Sequence, residues 1–141
     1  MMMKTIGINT TKKEEILDIT PRIEEIIQES GVKEGLCSIY SKHTTASIII
    51  NENDDPCVQE DILKFFSQTV KKGVWTHDFS GRCDRDQNGN CHIKASMIGP
   101  SETVPIKDGK LLLGRWQSIF FCEFDGPRSP REIVVTILGR E

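Results

Sequence analysis

Lys42-His43-Thr44-Thr45-Ala46-Ser47-Ile48-Ile49-Ile50-Asn51-Glu52-Asn53 is the stretch from which the fold of this chain can be read. A histidine and two threonines lead into an apolar run over Ser47 to Ile50, which breaks at once into the polar cluster Asn51 to Asp55. β-Branched residues bounded by polar ones specify a strand. In an extended chain, alternation puts His43, Thr45, Ser47 and Asn51 on one face and Thr44, Ala46, Ile48 and Ile50 on the other. One face is dry, and the other is left to a site or to solvent.

Upstream, Lys4 to Asn9 reads as a strand, followed by a helix with Thr20 as N-cap, Pro21 at its first position, Ile23, Ile26 and Ile27 on one face, and Gly31 past its end. Leu36 to Tyr40 is the strand that feeds the central stretch. Downstream, Asp55-Pro56 opens a second helix with Val58, Ile62, Phe65, Phe66 and Thr69 on one face, running to about Val70. The segment Lys71 to Asn90 is polar and too long for an ordinary connection, which points to function. Asn90 is read as the cap of a short third helix holding His92, Lys94 and Ala95 and ending by Gly99-Pro100. Thr103 to Ile106 and Lys110 to Leu113 flank Asp108-Gly109, a hairpin signal. Two strands follow, Trp116 to Phe124 and Glu132 to Leu138. The expected class is therefore α+β: mostly antiparallel sheet with two main helices and a short third, in one domain.

At 141 residues the chain can bury roughly two-thirds of its unfolded surface. Its 37% hydrophobic and 28% charged residues fit a globular protein, and a net charge of −3 argues against a nucleic-acid partner. No apolar run approaches the roughly 20 residues needed to span a bilayer, and Met1 to Lys4 leads straight into a strand pattern, so no membrane partner and a cytoplasmic location are expected. The five cysteines are odd in number and contain no CxxC, so free thiols are expected, with Cys37 and Cys122 in strands, Cys57 in a helix's first turn, and Cys83 and Cys91 flanking a loop. Tyr40, Trp75 and Trp116 are expected in the core.

The only histidines are His43, His77 and His92. Each stands at the edge of an apolar element. Imidazole is neutral and able to coordinate or exchange a proton near neutral pH, but separations of 34 and 15 residues match no compact zinc motif. The residues alone leave a metal site, an acid–base site and separate structural roles open.

His43-Thr44-Thr45-Ala46-Ser47, Asn51-Glu52-Asn53, Asp55-Pro56, His77-Asp78, His92 to Ser96, Gly114 to Gln117 and Glu123 to Arg128 together resemble the signature set of the YjbQ-like family, also called the secondary thiamine-phosphate synthase family. The resemblance covers nearly the whole chain, with one departure at Arg115. It implies a jelly-roll-like β-sandwich, a homotrimer with sites near subunit boundaries, and a common site in which His43, His77 and His92 hold a divalent metal, zinc first, or magnesium with a pyrophosphate substrate. It also implies a secondary activity joining a hydroxymethylpyrimidine pyrophosphate to a thiazole phosphate. Such a transfer needs cations or a metal against the departing pyrophosphate. Lys94, Arg128, Thr44 and Thr45 are the candidates for that role, with Asn53 and Gln117 as further substrate contacts. Two alternatives stand beside it: a metal-assisted hydrolase of a small phosphorylated substrate with Glu52 or Glu123 as general base, and a non-catalytic trimer that binds a metal or small ligand.

Overall fold

The structure, a computed structural model, describes residues 1–79 and 86–141. In chain order the described residues form β1 (Met2–Ile8), β2 (Glu15–Asp18), α1 (Thr20–Ser30), β3 (Glu34–Ser41), β4 (Ala46–Glu52), α2 (Pro56–Thr69), α3 (Thr76–Phe79), α4 (Gly89–Ile98), β5 (Ser101–Lys107), β6 (Lys110–Leu111), β7 (Gln117–Glu123) and β8 (Arg131–Arg140). They build two antiparallel sheets, one ordered β1-β8-β3-β5-β6 and the other β2-β7-β4. The expected antiparallel sandwich is the observed architecture.

The core lies where the inner face of the larger sheet meets α1 and one face of the smaller. Ile6, Cys37, Ile39, Val104, Ile133, Val135 and Ile137 face Ile23, Ile26 and Ile27 of α1 and Ala46, Ile48, Ile119 and Phe121 of the smaller sheet. The other face of the smaller sheet is covered as well, because Cys122 and Phe124 pack with Cys91 and Ala95 of α4. Both faces of β4 and β7 are therefore dry. Ser47 is fully buried and donates its hydroxyl to the Ala95 carbonyl at 3.1 Å, so this member of the polar face lies under a helix, while Asn51 is exposed.

Local signals explain most of the boundaries. Gly31 closes α1 with φ 72°, Asp55 caps α2 by accepting from the Cys57 N–H, and Asp108 and Gly109 turn the β5–β6 hairpin at φ 53° and 74°. Thr20 is no cap: its hydroxyl accepts the Ile119 N–H at 2.8 Å, tying α1 to β7. Three elements depart from expectation, the first being α3, a helical turn inside the segment read as a long connection. β2 is a short charged strand bonded to β7 alone, and α4 starts at Gly89, with Asn90 inside it and buried. Tyr40 and Trp116 are about half exposed rather than core. Cys37, Cys91 and Cys122 are buried free thiols, and Cys57 is free and exposed; Cys83 lies outside the described residues. No helix among the described residues is long and apolar enough to cross a membrane.

Phe121 sits at 0% exposure between the sheets. Phe121→Ala is expected to cost about 3–5 kcal/mol. In urea melts this should lower the midpoint without changing the slope.

Candidate functional site

β3 and β8 pair as far as Ser41 opposite Ile133. One residue further on, the Lys42 N–H still donates to the Glu132 carbonyl, at 3.4 Å. The reciprocal Glu132 N–H is taken by the His43 ring, whose Nε2 accepts it at 2.7 Å. An imidazole thus finishes the ladder where the strand ends. A neutral ring that accepts at Nε2 carries its proton on Nδ1, so His43 presents an N–H donor. Burial, then the neighbouring Arg131 guanidinium, lowers the His43 pKa below its ordinary value and keeps the ring neutral.

Opposite His43, α4 brings His92 with Ala95 and Ser96 to a cleft of about 330 Å³ that Thr44, Ala46 and Pro100 complete. His77 from α3 meets the His92 ring edge to face, with centroids 5.2 Å apart and planes at 84°. Asn88 orients His77. Its Nδ2 donates to Asp125 Oδ2 at 2.7 Å, which leaves Asn88 Oδ1 to accept from His77 Nε2 at 2.8 Å. Asp78 fixes the approach of α3 to α4 by accepting the Gly89 and Trp75 N–H groups, both at 3.1 Å. The structure therefore gathers the three histidines in one region, as a chain of neighbours.

They do not form the expected three-ligand set. Among the described residues no three His, Cys, Asp or Glu groups gather closely enough to hold a metal. The donor chemistry agrees, because with Nε2 accepting a backbone N–H and Nδ1 protonated, His43 has no lone pair left for an ion. In this arrangement the triad does not fit a tetrahedral zinc.

Beneath His43 lies a buried ion pair. Arg131 is 3% exposed, and it grips the fully buried Glu123 carboxylate through both Nε, at 2.7 Å, and Nη2. Thr10 Oγ1 donates to Glu123 Oε2 at 2.8 Å, and the Asp125 N–H donates to Oε1 at 2.9 Å. Burial alone would raise this carboxyl; Arg131, the Asp125 N–H and Thr10 outweigh it and hold the pKa below its ordinary value. Glu123 is thus a structural anion and no general base. Thr45 is spent in the same network, its hydroxyl accepting Arg131 Nη2 at 2.8 Å.

The other expected site residues divide. Thr44 lines the histidine cleft. Arg128 is half exposed beside His43 in a second cleft. Lys94 lies on the far side of α4 from His92, 2% exposed and paired with Glu14 Oε1 at 2.9 Å, so it ties the helix to the segment before β2. Glu52, Asn53 and Gln117 stand at the other end of the smaller sheet, where Asn53 Nδ2 donates to Asp18 Oδ2 and Gln117 Oε1 accepts the Gly114 N–H. β4 is seven residues long, so about 20 Å of strand separates Glu52 from the histidine end. Within one chain these three do not meet the histidines. Arg131, Asn88 and Asp125 are the residues that sequence reasoning passed over; the polar run ending in Asn90 and the Glu123-to-Arg128 motif were the available signals.

A family profile described as UPF0047 protein YjbQ-like matches residues 4–140. UPF0047 protein MJ1081 of Methanocaldococcus jannaschii is 52% identical over 139 residues, which cover 98% of this chain and 95% of that protein. UPF0047 protein YugU of Bacillus subtilis is 44% identical over 140 residues, covering 98% of this chain and 100% of that one. Among solved structures, a YbjQ-like protein of unknown function from Sulfolobus solfataricus superimposes with a TM-score of 0.91 at 37% identity, over 99% of this chain and 97% of that chain.

Removing one partner of a buried pair leaves the other charge stranded. Glu123→Gln is expected to cost about 3–5 kcal/mol, measured by denaturant melts at pH 7. The Glu123 carboxyl has a lowered pKa in the folded state, so its contribution is complete above the ordinary value of 4.5 and is lost as pH falls below it. The difference between wild type and variant should therefore shrink as pH drops from 5 to 3.

Proposed function

The chain belongs to the YjbQ-like UPF0047 family, and with that as premise we propose that it is an enzyme acting on a small phosphorylated substrate in the cleft between His43 and His92. The observation that carries this reading is that two imidazoles from separate elements line one cleft, and that backbone geometry fixes the protonation of one of them. Neutral His43 donates its Nδ1–H to the oxygen that gains charge in the reaction, a role open to an imidazole whose pKa is held down. His92, whose ring makes no hydrogen bond to protein among the described residues, takes a proton from the attacking group.

A thiamine-phosphate synthase reaction belongs to this class. The thiazole nitrogen forms a bond to the pyrimidine methylene carbon as the carbon–oxygen bond to pyrophosphate breaks. The negative charge leaves on the pyrophosphate, where a neutral N–H donor and nearby guanidinium groups stabilise it. In hydrolysis of a phosphomonoester, water attacks phosphorus, His92 accepts its proton, and the phosphorus–oxygen bond to the ester breaks, the leaving oxygen being hydrogen-bonded by His43 and reprotonated from solvent. Glu52 and Glu123 take no part within the chain.

A second reading places a divalent ion at His77 and His92, favoured by their ring contact and by the Asn88–Asp125 pair that orients His77 in the manner of an outer-shell partner. Such an ion would supply Lewis acidity toward a phosphoryl oxygen. Assembly as a homotrimer is part of the proposal. Leu36 and Leu138 are opposite each other on the outer face of the larger sheet and, with Tyr40, are about half exposed, a surface that a second copy would bury.

His92→Ala is expected to lower kcat/KM for phosphate release from a panel of phosphomonoesters by about 100-fold or more, whereas condensation of the pyrimidine pyrophosphate with thiazole phosphate, whose attacking nitrogen carries no proton, should be spared that loss. Wild-type phosphate release in that variant would falsify the acid–base role. Elemental analysis of purified protein separates the two readings. Any zinc carried by His77 and His92 should persist in His43→Gln, and zinc lost with His43 would show that the ring turns to coordinate.

A further inference from the structure

His43 forms a wall shared by two clefts. The second, about 380 Å³, is lined by His43, Pro127, Arg128, Ser129, Pro130 and Arg131, with no carboxylate among its lining residues. From this cleft we infer that the protein holds the phosphoryl group of its ligand against Arg131, Arg128 and His43, and that its substrates are small phosphomonoesters or diphosphates gripped there by the phosphate end.

Arg131 is the first donor. Its Nε and Nη2 are committed to Glu123 and Thr45, whereas Nη1 has no acceptor among the described residues. No buried side-chain nitrogen or oxygen among them lacks a partner, so Nη1 is not sealed in protein and opens on the cleft its residue lines. A guanidinium at 3% exposure that reserves one nitrogen for a solvent-filled cleft is a built donor. Its orientation is fixed by three oxygen partners, both carboxylate oxygens of Glu123 and Thr45 Oγ1, that no ligand has to displace.

Arg128 adds the second donor. Its Nε and Nη2 bond to the carbonyl and carboxylate of Asp125, both at 2.9 Å, which pins the plane of the guanidinium and leaves Nη1 without an acceptor among the described residues. The Nδ1–H of His43 is the third. Of the nearby acids, Glu123 is held by Arg131 and Asp125 by Lys13, Asn88 and Arg128, while Asp86 also acts on Arg128 through its charge. Lys13, Arg128 and Arg131 stand against Glu123, Asp125 and Asp86, and Glu132 is balanced by Lys42 at 3.5 Å, so the cleft offers directed donors rather than excess charge.

Donors from three residues around one cleft suit a tetrahedral oxyanion better than a planar carboxylate, which one guanidinium would satisfy. The adjoining histidine cleft then takes the rest of the ligand. Its roughly 330 Å³ accommodates a small metabolite. This inference rests on the proposed function only for what occupies the histidine cleft; phosphate binding stands without it.

The test is calorimetric titration of the full chain with inorganic phosphate, glycerol phosphate and acetate, in wild type, Arg128→Gln and Arg131→Lys, with folding checked by circular dichroism. Expected are phosphate binding in the millimolar range, at least tenfold tighter binding of the ester, no acetate binding, and about tenfold weaker phosphate binding in Arg128→Gln. Arg128 is half exposed, so that variant keeps its fold even where Arg131→Lys does not. Absence of phosphate binding, or binding unchanged in Arg128→Gln, overturns the inference; an ester no tighter than phosphate overturns the substrate assignment. Phosphate binding without turnover defeats the acid–base proposal alone, and turnover without phosphate binding defeats this one alone.

Discussion

The pairing of Glu123 with Arg131 is the constraint around which this molecule is arranged. It joins the end of β7 to the start of β8, and Thr10 and Thr45 attach the segment after β1 and the approach to β4. A buried ion pair contributes little net stability against an apolar alternative of the same volume, because desolvation offsets most of the attraction. What it supplies is position. Arg131 meets its carboxylate through two nitrogens, and the next residue presents its N–H to His43. The protonation state of a candidate catalytic ring is thereby determined by the strand beneath it.

A second hub repeats this logic at Asp125. Lys13, Asn88 and Arg128 converge on its carboxylate, and burial of the group is outweighed by these partners, so its pKa lies below the ordinary value. Asn88 passes the constraint to His77. The turn that makes this possible comes very close to the chain after β1. A Cβ on Gly126 would lie 2.2 Å from the Lys12 carbonyl oxygen and 2.9 Å from Glu123 Cγ, and Gly126 donates its N–H to the Lys13 carbonyl at 3.0 Å. Only glycine permits both hubs to share this corner.

Much of the fold was legible in the sequence because its signals are local. Period-two alternation, Asp108-Gly109, Asp55-Pro56 and Gly31 each act over a few residues, and each element they mark is present. β2 was missed because Glu15-Ile16-Leu17-Asp18 is short and charged, and it is a strand only through its pairing with β7. The fates of Lys94 and Glu123 were illegible for a related reason. A charge is read as exposed or functional until its partner is known, and those partners, Glu14 and Arg131, come from other elements. The burial of Ser47 likewise follows from α4 crossing the second face of β4, which alternation in one strand does not encode.

The candidate site shows where motif reading and geometry separate. His43-Thr44-Thr45 and Asn51-Glu52-Asn53 bracket one strand and read as a single signature, yet a strand advances about 3.3 Å per residue and carries its two ends to opposite edges of the sheet. Closeness in sequence is therefore the opposite of closeness in space for these two motifs. Arg128 and Arg131 are far from His43 along the chain and beside it in the fold, because β8 pairs with β3 and delivers its first residues to the point where β3 ends. Strand pairing, more than motif order, decides which charged groups meet the histidines. It brings together the members that can bind an anion and leaves the glutamates elsewhere or neutralised.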